Sequence, residues 1–206
     1  MRINYWAFIF VTLMACGEYG KKLELVAIDE KFREGQVEEA KQELESFLEQ
    51  TKDNEYAWTL LGHIHAELDD NQAARKAYEQ ALTINANTVE ALTGLGIIFR
   101  KALDYPKAAD YYHQAIDIDP NYAQAYSSLA VVKLKQRKFD EALKMGLKGY
   151  ELDPDDPVLI ANLSITYHYA GDSLKRDQFY ELAEINGYRN LPSLQKIFTG
   201  ELTVFD

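Results

Sequence analysis

Apolar residues recur along this chain at helical spacing, in runs that come in pairs. In 89–122 the first run is Leu92, Leu95 and Phe99, with Gly96 following Leu95, and the second is Ala108, Tyr112 and Ala115. Spacings of three and four place each run on one face of a helix. The break at Asp104-Tyr105-Pro106 separates the runs, and Pro120 follows the second, where proline ends a helical hydrogen-bond ladder. The spacing therefore predicts two antiparallel helices for this stretch. The arrangement returns every 34 residues without a gap, at 21–54, 55–88, 89–122, 123–156 and 157–190. One column holds Gly62, Gly96, Ala130 and Ser164, another Ala40, Ala74, Ala108 and Ala142, and a third Ala81, Ala115, Gly149 and Ala183. Small residues at fixed register mark where helices cross closely. A fixed period of this length is the signature of stacked repeats, which build binding surfaces.

On these positions the chain resembles the tetratricopeptide repeat (TPR) family over residues 21–190, with copies two to four carrying nearly every signature position. The resemblance implies an all-α fold, a right-handed α-solenoid of five helical hairpins with a C-terminal capping helix. The outer copies depart from the pattern. Copy one has Glu24 in the column of Trp58 and Leu92, and Lys31 in that of Phe99; copy five has Arg176 in an alanine column. End repeats have one face without a neighbour, so both read as caps. In the capping segment 191–206, Pro192, the apolar face Leu194, Ile197 and Phe198, and then Gly200 predict a short helix. Leu202, Val204 and Phe205 form an apolar tail that either folds back on the last hairpin or docks elsewhere; the cost of exposed apolar surface favours folding back.

The first twenty residues follow another pattern. Arg2 precedes the apolar run from Tyr5 to Met14, and Ala15-Cys16-Gly17 follows, which describes a secretory signal. The run is short for a membrane span, which needs about 20 residues. Leu13-Met14-Ala15-Cys16 resembles the lipobox of bacterial lipoproteins, departing from it at Met14, where a smaller residue is usual, and in the single Arg2. The resemblance implies a signal peptide over 1–15, lipidation of Cys16, a linker over 16–20, and membrane attachment through Cys16. Cys16 is also the only cysteine in the chain. By similarity to enterobacterial sorting, Gly17 directs such a protein to the outer membrane, facing the periplasm. The alternative is an uncleaved anchor or a buried apolar helix.

Composition bounds the partners. The 206 residues carry 33 acidic and 22 basic side chains, a net charge of −11. That balance argues against nucleic acid, because phosphate recognition needs a basic footprint. Asp119, Asp153, Asp155 and Asp156 cluster at the turns between copies, as helix-capping residues do.

In the TPR family the first helix of each repeat lines a concave groove. By that resemblance the candidate partner-binding positions are Tyr56, Leu60 and His63 in copy two, and Thr93, Gly94, Ile97, Arg100 and Lys101 in copy three. Copy four adds Ser127, Ser128, Val131 and Lys135, and copy five Asn162, His168 and Tyr169. The floor is small, the walls at Leu60, Ile97, Val131 and Ile165 are apolar, the ends are aromatic, and Arg100, Lys101 and Lys135 form a basic edge. Apolar walls also describe simple helix packing. Chaperone-binding members clamp a terminal carboxylate with lysine, asparagine and arginine; Leu25 and Asp29 stand at the first two of those places, which argues against that ligand.

No catalytic motif is present. His63 and His65 are two residues apart and point to different helix faces, and no phosphate loop, His-Glu-x-x-His or nucleophile elbow occurs. The expectation is a non-enzymatic protein-interaction scaffold without cofactor, metal or small-molecule substrate. It is lipid-anchored in the bacterial envelope, binding a peptide or helix of a partner in pilus or secretin assembly or in docking peptidoglycan enzymes. The alternative is a soluble cytoplasmic adaptor with a hydrophobic N-terminal helix.

Overall fold

The computed structural model describes residues 5–205, with side chains from Tyr19 onward; the basic start at Arg2 and the side chain of Cys16 lie outside the described residues. Eleven helices and no strand make up those residues. They divide into two compact units, Met1–Ala86 and Asn87–Asp206.

The first unit holds two antiparallel hairpins. Helix α1 (Tyr5–Arg33) pairs with α2 (Val37–Gln50), and α3 (Glu55–Glu67) with α4 (Asn71–Ile84). Its core joins Leu25 and Ile28 from α1, Leu44 and Phe47 from α2, and Leu60, Leu61 and Ile64 from α3. Helix α1 runs without a break through Gly17–Gly20, so the stretch expected as a linker continues the first repeat helix.

The second unit holds three hairpins and a terminal helix. These are α5 (Val89–Lys101) with α6 (Tyr105–Ile118), α7 (Ala123–Lys135) with α8 (Phe139–Leu152), and α9 (Pro157–Ala170) with α10 (Ser173–Ile185), followed by α11 (Leu191–Phe198). One cluster packs Tyr112, Leu129 and Val132 with Phe99 and Met145; another joins Leu134, Ile160, Ile165 and Leu194. The chain is thus a series of consecutive helical hairpins, with boundaries that follow the 34-residue register.

The turn inside each hairpin has one construction. Gly35, Asp69, Leu103, Arg137 and Gly171, each 34 residues from the last, take a left-handed backbone with φ between 57° and 85°. The residue after each donates its N–H to a carbonyl five residues back, as Asp104 does to Phe99 at 2.9 Å, closing the first helix in a Schellman-type turn. That same residue starts the second helix. Asp70, Asp104 and Asp172 accept from the N–H groups of Ala73, Lys107 and Lys175, satisfying donors the helix leaves open. Between hairpins Asp156 caps α9 by accepting from Val158 and Leu159, and Asp119 accepts from Asn121 in its turn.

The small-residue columns lie where helices cross. A methyl group on Gly62 would overlap the ring of Tyr78, and one on Gly96 the ring of Tyr112. In the fourth hairpin the bulk is exchanged, since Ala130 faces Gly146. In the last hairpin Ser164 donates to the carbonyl of Arg176 at 2.8 Å. The Arg176 side chain lies outside this crossing, paired with Asp177 and 5.4 Å from the Phe198 ring centre, so the arginine enters the alanine column without burial of its charge.

The predicted C-terminal helix is α11, anchored by the fully buried Leu194. The tail folds back. Val204 packs on the last core cluster and its N–H donates to Tyr169 Oη at 3.3 Å, while the Phe205 ring lies 4.8 Å from that of Tyr169. Arg137 stacks over Phe205 at 4.2 Å.

Candidate functional site

In the second unit the first helices of the three hairpins, α5, α7 and α9, lie side by side. Their inward positions separate by depth. Thr93, Gly94 and Ser127 are buried among neighbouring helices. Ile97, Arg100, Ser128, Val131, Lys135 and Asn162 are half-buried, and Lys101 is exposed. The small residues expected to line an open floor therefore serve packing, and the half-buried set forms the reachable face. Of the apolar walls, Ile165 is buried in the core and Ile97 packs against the Tyr112 cluster. Arg100 and Lys101 end α5, and Lys133 and Lys135 end α7, where cations also suit the negative end of the helix dipole.

Hydrogen bonding on this face is incomplete. The hydroxyl of the fully buried Tyr112 has no partner, and neither do Thr93 Oγ1 and Arg100 Nε. Burial pushes the Tyr112 pKa up, countered in part by the neighbouring Arg100 and Ser128. Tyr112 was legible in the sequence only as a core residue. Its pairing is decided by which residue of the facing helix reaches its hydroxyl.

In the first unit the corresponding face is internally satisfied. Asp29 accepts from Arg33 at 2.8 Å and from Tyr56 Oη at 2.9 Å. Burial first, and then Asp29, raise the Tyr56 pKa. His63 Nδ1 lies 2.9 Å from Tyr78 Oη. Leu60 is 4% exposed and belongs to the core, which corrects its place as a groove wall: the i+3/i+4 face it shares with Ile64 and Leu61 is turned into the hairpin packing.

The aromatic end at His168 and Tyr169 is covered by the chain itself. Phe198 lies 5.1 Å from His168, and Phe139 and Phe205 flank Tyr169. Burial, and after it the Arg176 cation, hold the His168 pKa below its ordinary value. These two residues therefore form part of the terminal cap, which removes them from an open groove.

Among the described residues no group of three histidine, cysteine, aspartate or glutamate side chains could hold a metal ion, and no helix is long and apolar enough to cross a membrane.

Residues 17–159 match the model of the cytochrome c-type biogenesis protein H TPR domain. No curated protein matches the chain significantly. Among solved structures, PilF of Pseudomonas aeruginosa is 19% identical with a TM-score of 0.73, the match covering 89% of this chain and 86% of that one. PilW, described as a widely conserved type IV pilus biogenesis factor, is 20% identical with a TM-score of 0.74, over 90% of this chain and 88% of its own. YrrB, described as a TPR protein with an unusual peptide-binding site, is 18% identical with a TM-score of 0.58, over 87% and 91%. At these identities the likeness is one of fold.

Proposed function

Because this chain belongs to the family of the cytochrome c-type biogenesis protein H TPR domain, whose model covers residues 17–159, we propose that it is a non-enzymatic interaction scaffold that holds a peptide or helix of a partner protein. The observation that carries the reading is the half-buried inward row Ile97, Arg100, Ser128, Val131, Lys135 and Asn162 on α5, α7 and α9. Apolar and hydrogen-bonding side chains stand there together, as recognition of a helix or extended segment requires. YrrB lends support as a structural relative described by its peptide-binding site. A photo-crosslinking residue at Ser128 is expected to capture one defined partner in cells, and Val131→Asp to abolish the capture. Crosslinks no richer than those from an exposed position on α8 would remove the groove from consideration.

The scaffold is lipid-anchored through Cys16 in the bacterial envelope, facing the periplasm and placed in the outer membrane by Gly17. It serves pilus or secretin assembly or the docking of peptidoglycan enzymes. Support comes from the lipobox-like Leu13-Met14-Ala15-Cys16 and from PilW, a relative described as a pilus biogenesis factor. Cys16→Ser is expected to shift the chain from the membrane to the soluble fraction. A second reading draws on α1, which runs unbroken from Tyr5 to Arg33: residues 5–20 then extend the first repeat helix of a soluble cytoplasmic adaptor. Unchanged fractionation of the Cys16→Ser chain would support that reading.

A further inference from the structure

Two inward positions recur one period apart with opposite outcomes. Thr59 Oγ1 donates to the carbonyl of Glu55 at 2.8 Å, and Tyr78 Oη is paired with His63 at 2.9 Å. Their counterparts in the next hairpin are Thr93 and Tyr112, and there Ile97 stands where His63 stands. Isoleucine offers no hydrogen bond, so the Tyr112 hydroxyl is left buried and unpaired. Thr93 Oγ1 and Arg100 Nε are also unpaired in the same hairpin. Buried polar groups in native proteins nearly always find a partner, so an unmet set at one place needs an explanation.

The chemistry of the unmet groups narrows the partner. Arg100 offers only donors, and Tyr112 Oη and Ser128 Oγ can each donate. Burial raises the Tyr112 pKa, and Arg100 and Ser128 stand close enough to its hydroxyl to lower it in part, yet neither forms a well-directed hydrogen bond with it. Lys101 and Lys135 add positive charge at the ends of α5 and α7, on a chain whose net charge is −11. A group matching these donors accepts hydrogen bonds only and carries negative charge. Carboxylates and phosphates do both; an aspartate or glutamate side chain is the one that suits a segment lying along a face that also offers the half-buried apolar Ile97 and Val131.

We propose that the inward face of α5 and α7 holds a side-chain carboxylate of a partner peptide, with the half-exposed Arg100 meeting it, Ser128 donating beside it, and the buried Tyr112 hydroxyl accepting from the guanidinium and orienting it from behind. This rests on the reading of that face as a peptide-binding groove. It differs from capture of a chain terminus, because the carboxylate belongs to an internal side chain flanked by apolar residues. It also assigns a use to the Tyr112 hydroxyl, which packing alone does not need.

The test uses the full chain and a library of ten-residue peptides, acetylated and amidated so that no terminal carboxylate is present. The centre is Glu, Asp, Gln, Asn or phosphoserine, with leucine on both sides and the remaining positions random. Selection of Glu or Asp over the amides is expected. Arg100→Gln should lower the affinity of the selected peptide about ten-fold and Tyr112→Phe by a few-fold, with thermal unfolding unchanged in both, in keeping with loss of charge-assisted hydrogen bonds. Leucine-flanked peptides retained without acidic preference would overturn the carboxylate and leave the groove standing. Phosphoserine preferred over glutamate would also overturn it. Acid selection that both variants leave untouched would place the site elsewhere. No retained peptide at all would remove the groove together with the carboxylate.

Discussion

Two pairs of residues show how tightly the hairpins are fitted. Gly62 lies under Tyr78 and Gly96 under Tyr112, and in each a single methyl on the glycine would meet the buried ring. The ring cannot swing away, since Tyr112 is fully buried in the cluster of Leu129 and Val132. Gly96→Ala is therefore expected to lower stability by about 1–3 kcal/mol, because overpacking exceeds the gain of about 1 kcal/mol in helix propensity. Gly146 gives the contrasting case. Its added methyl would come 2.8 Å from Leu163 Cδ2, the terminal methyl of a buried but jointed side chain, which yields by tenths of an ångström more easily than a rigid ring. Gly146→Ala should fall within about 1 kcal/mol of the parent in urea unfolding followed by circular dichroism. The left-handed turn residues give a second residue-scale expectation. Leu103 holds φ 62° with its side chain 69% exposed, so it bears backbone strain without packing in return. Leu103→Gly should raise stability by about 0.5–1 kcal/mol, the relief of a left-handed L-residue less the entropy glycine adds to the unfolded chain. Equal or lower stability in the same assay would show that the leucine is held by a contact.

At the scale of elements, α11 determines how the last hairpin ends. Leu194 inserts into the cluster of Leu134, Ile160 and Ile165, while Phe198 reaches His168 and Tyr180. Leu194→Ala should cost about 2–5 kcal/mol, the range for a buried leucine truncated to leave a cavity. Hydrogen exchange should show the loss in α11 and α9 ahead of α5 and α6. The histidine under α11 makes this cap sensitive to acid. His168 is held below its ordinary pKa of 6.5, first by burial and then by Arg176. As pH falls through 6.5 the unfolded chain takes up a proton that the folded ring resists, so stability present above that value is lost until the lower, folded pKa is passed. Melting temperatures measured from about pH 8 to about pH 5 should fall, and His168→Gln should flatten the fall. A variant with the parent's pH profile would assign the acid sensitivity to other groups.

For the molecule as a whole, the two units matter because each has its own core. Leu25, Ile28, Leu44 and Leu60 form the cluster of the first unit, and the clusters around Tyr112, Leu163 and Leu194 lie within the second. Repeat proteins draw stability from each repeat and its nearest neighbours. A fragment covering 87–206 is therefore expected to keep its helical circular dichroism and melt cooperatively. A fragment without a transition would mean that its hairpins depend on the preceding ones. The proposed carboxylate site falls inside this fragment, so folding and peptide selection can be compared on it once the transition is seen.

The sequence alone determined the hairpins. Alternation at three and four residues, the 34-residue register, the break at Asp104-Tyr105-Pro106, Pro120 and the aspartates at the turns between copies are local signals, and helices obey local rules. It also placed the short helix α11. Depth was decided only by tertiary structure. Periodicity tells which face of a helix looks inward but not how closely the next helix covers it. Hence Thr93, Gly94 and Ser127 became buried packing while Ser128 and Val131 stayed half-open, and Leu60 entered the core. The same holds for hydrogen bonds between helices: His63 reaches Tyr78, whereas Ile97 leaves Tyr112 unpaired. The apolar tail favoured folding back, but its seat on Tyr169, 35 positions away, was set by three-dimensional packing alone.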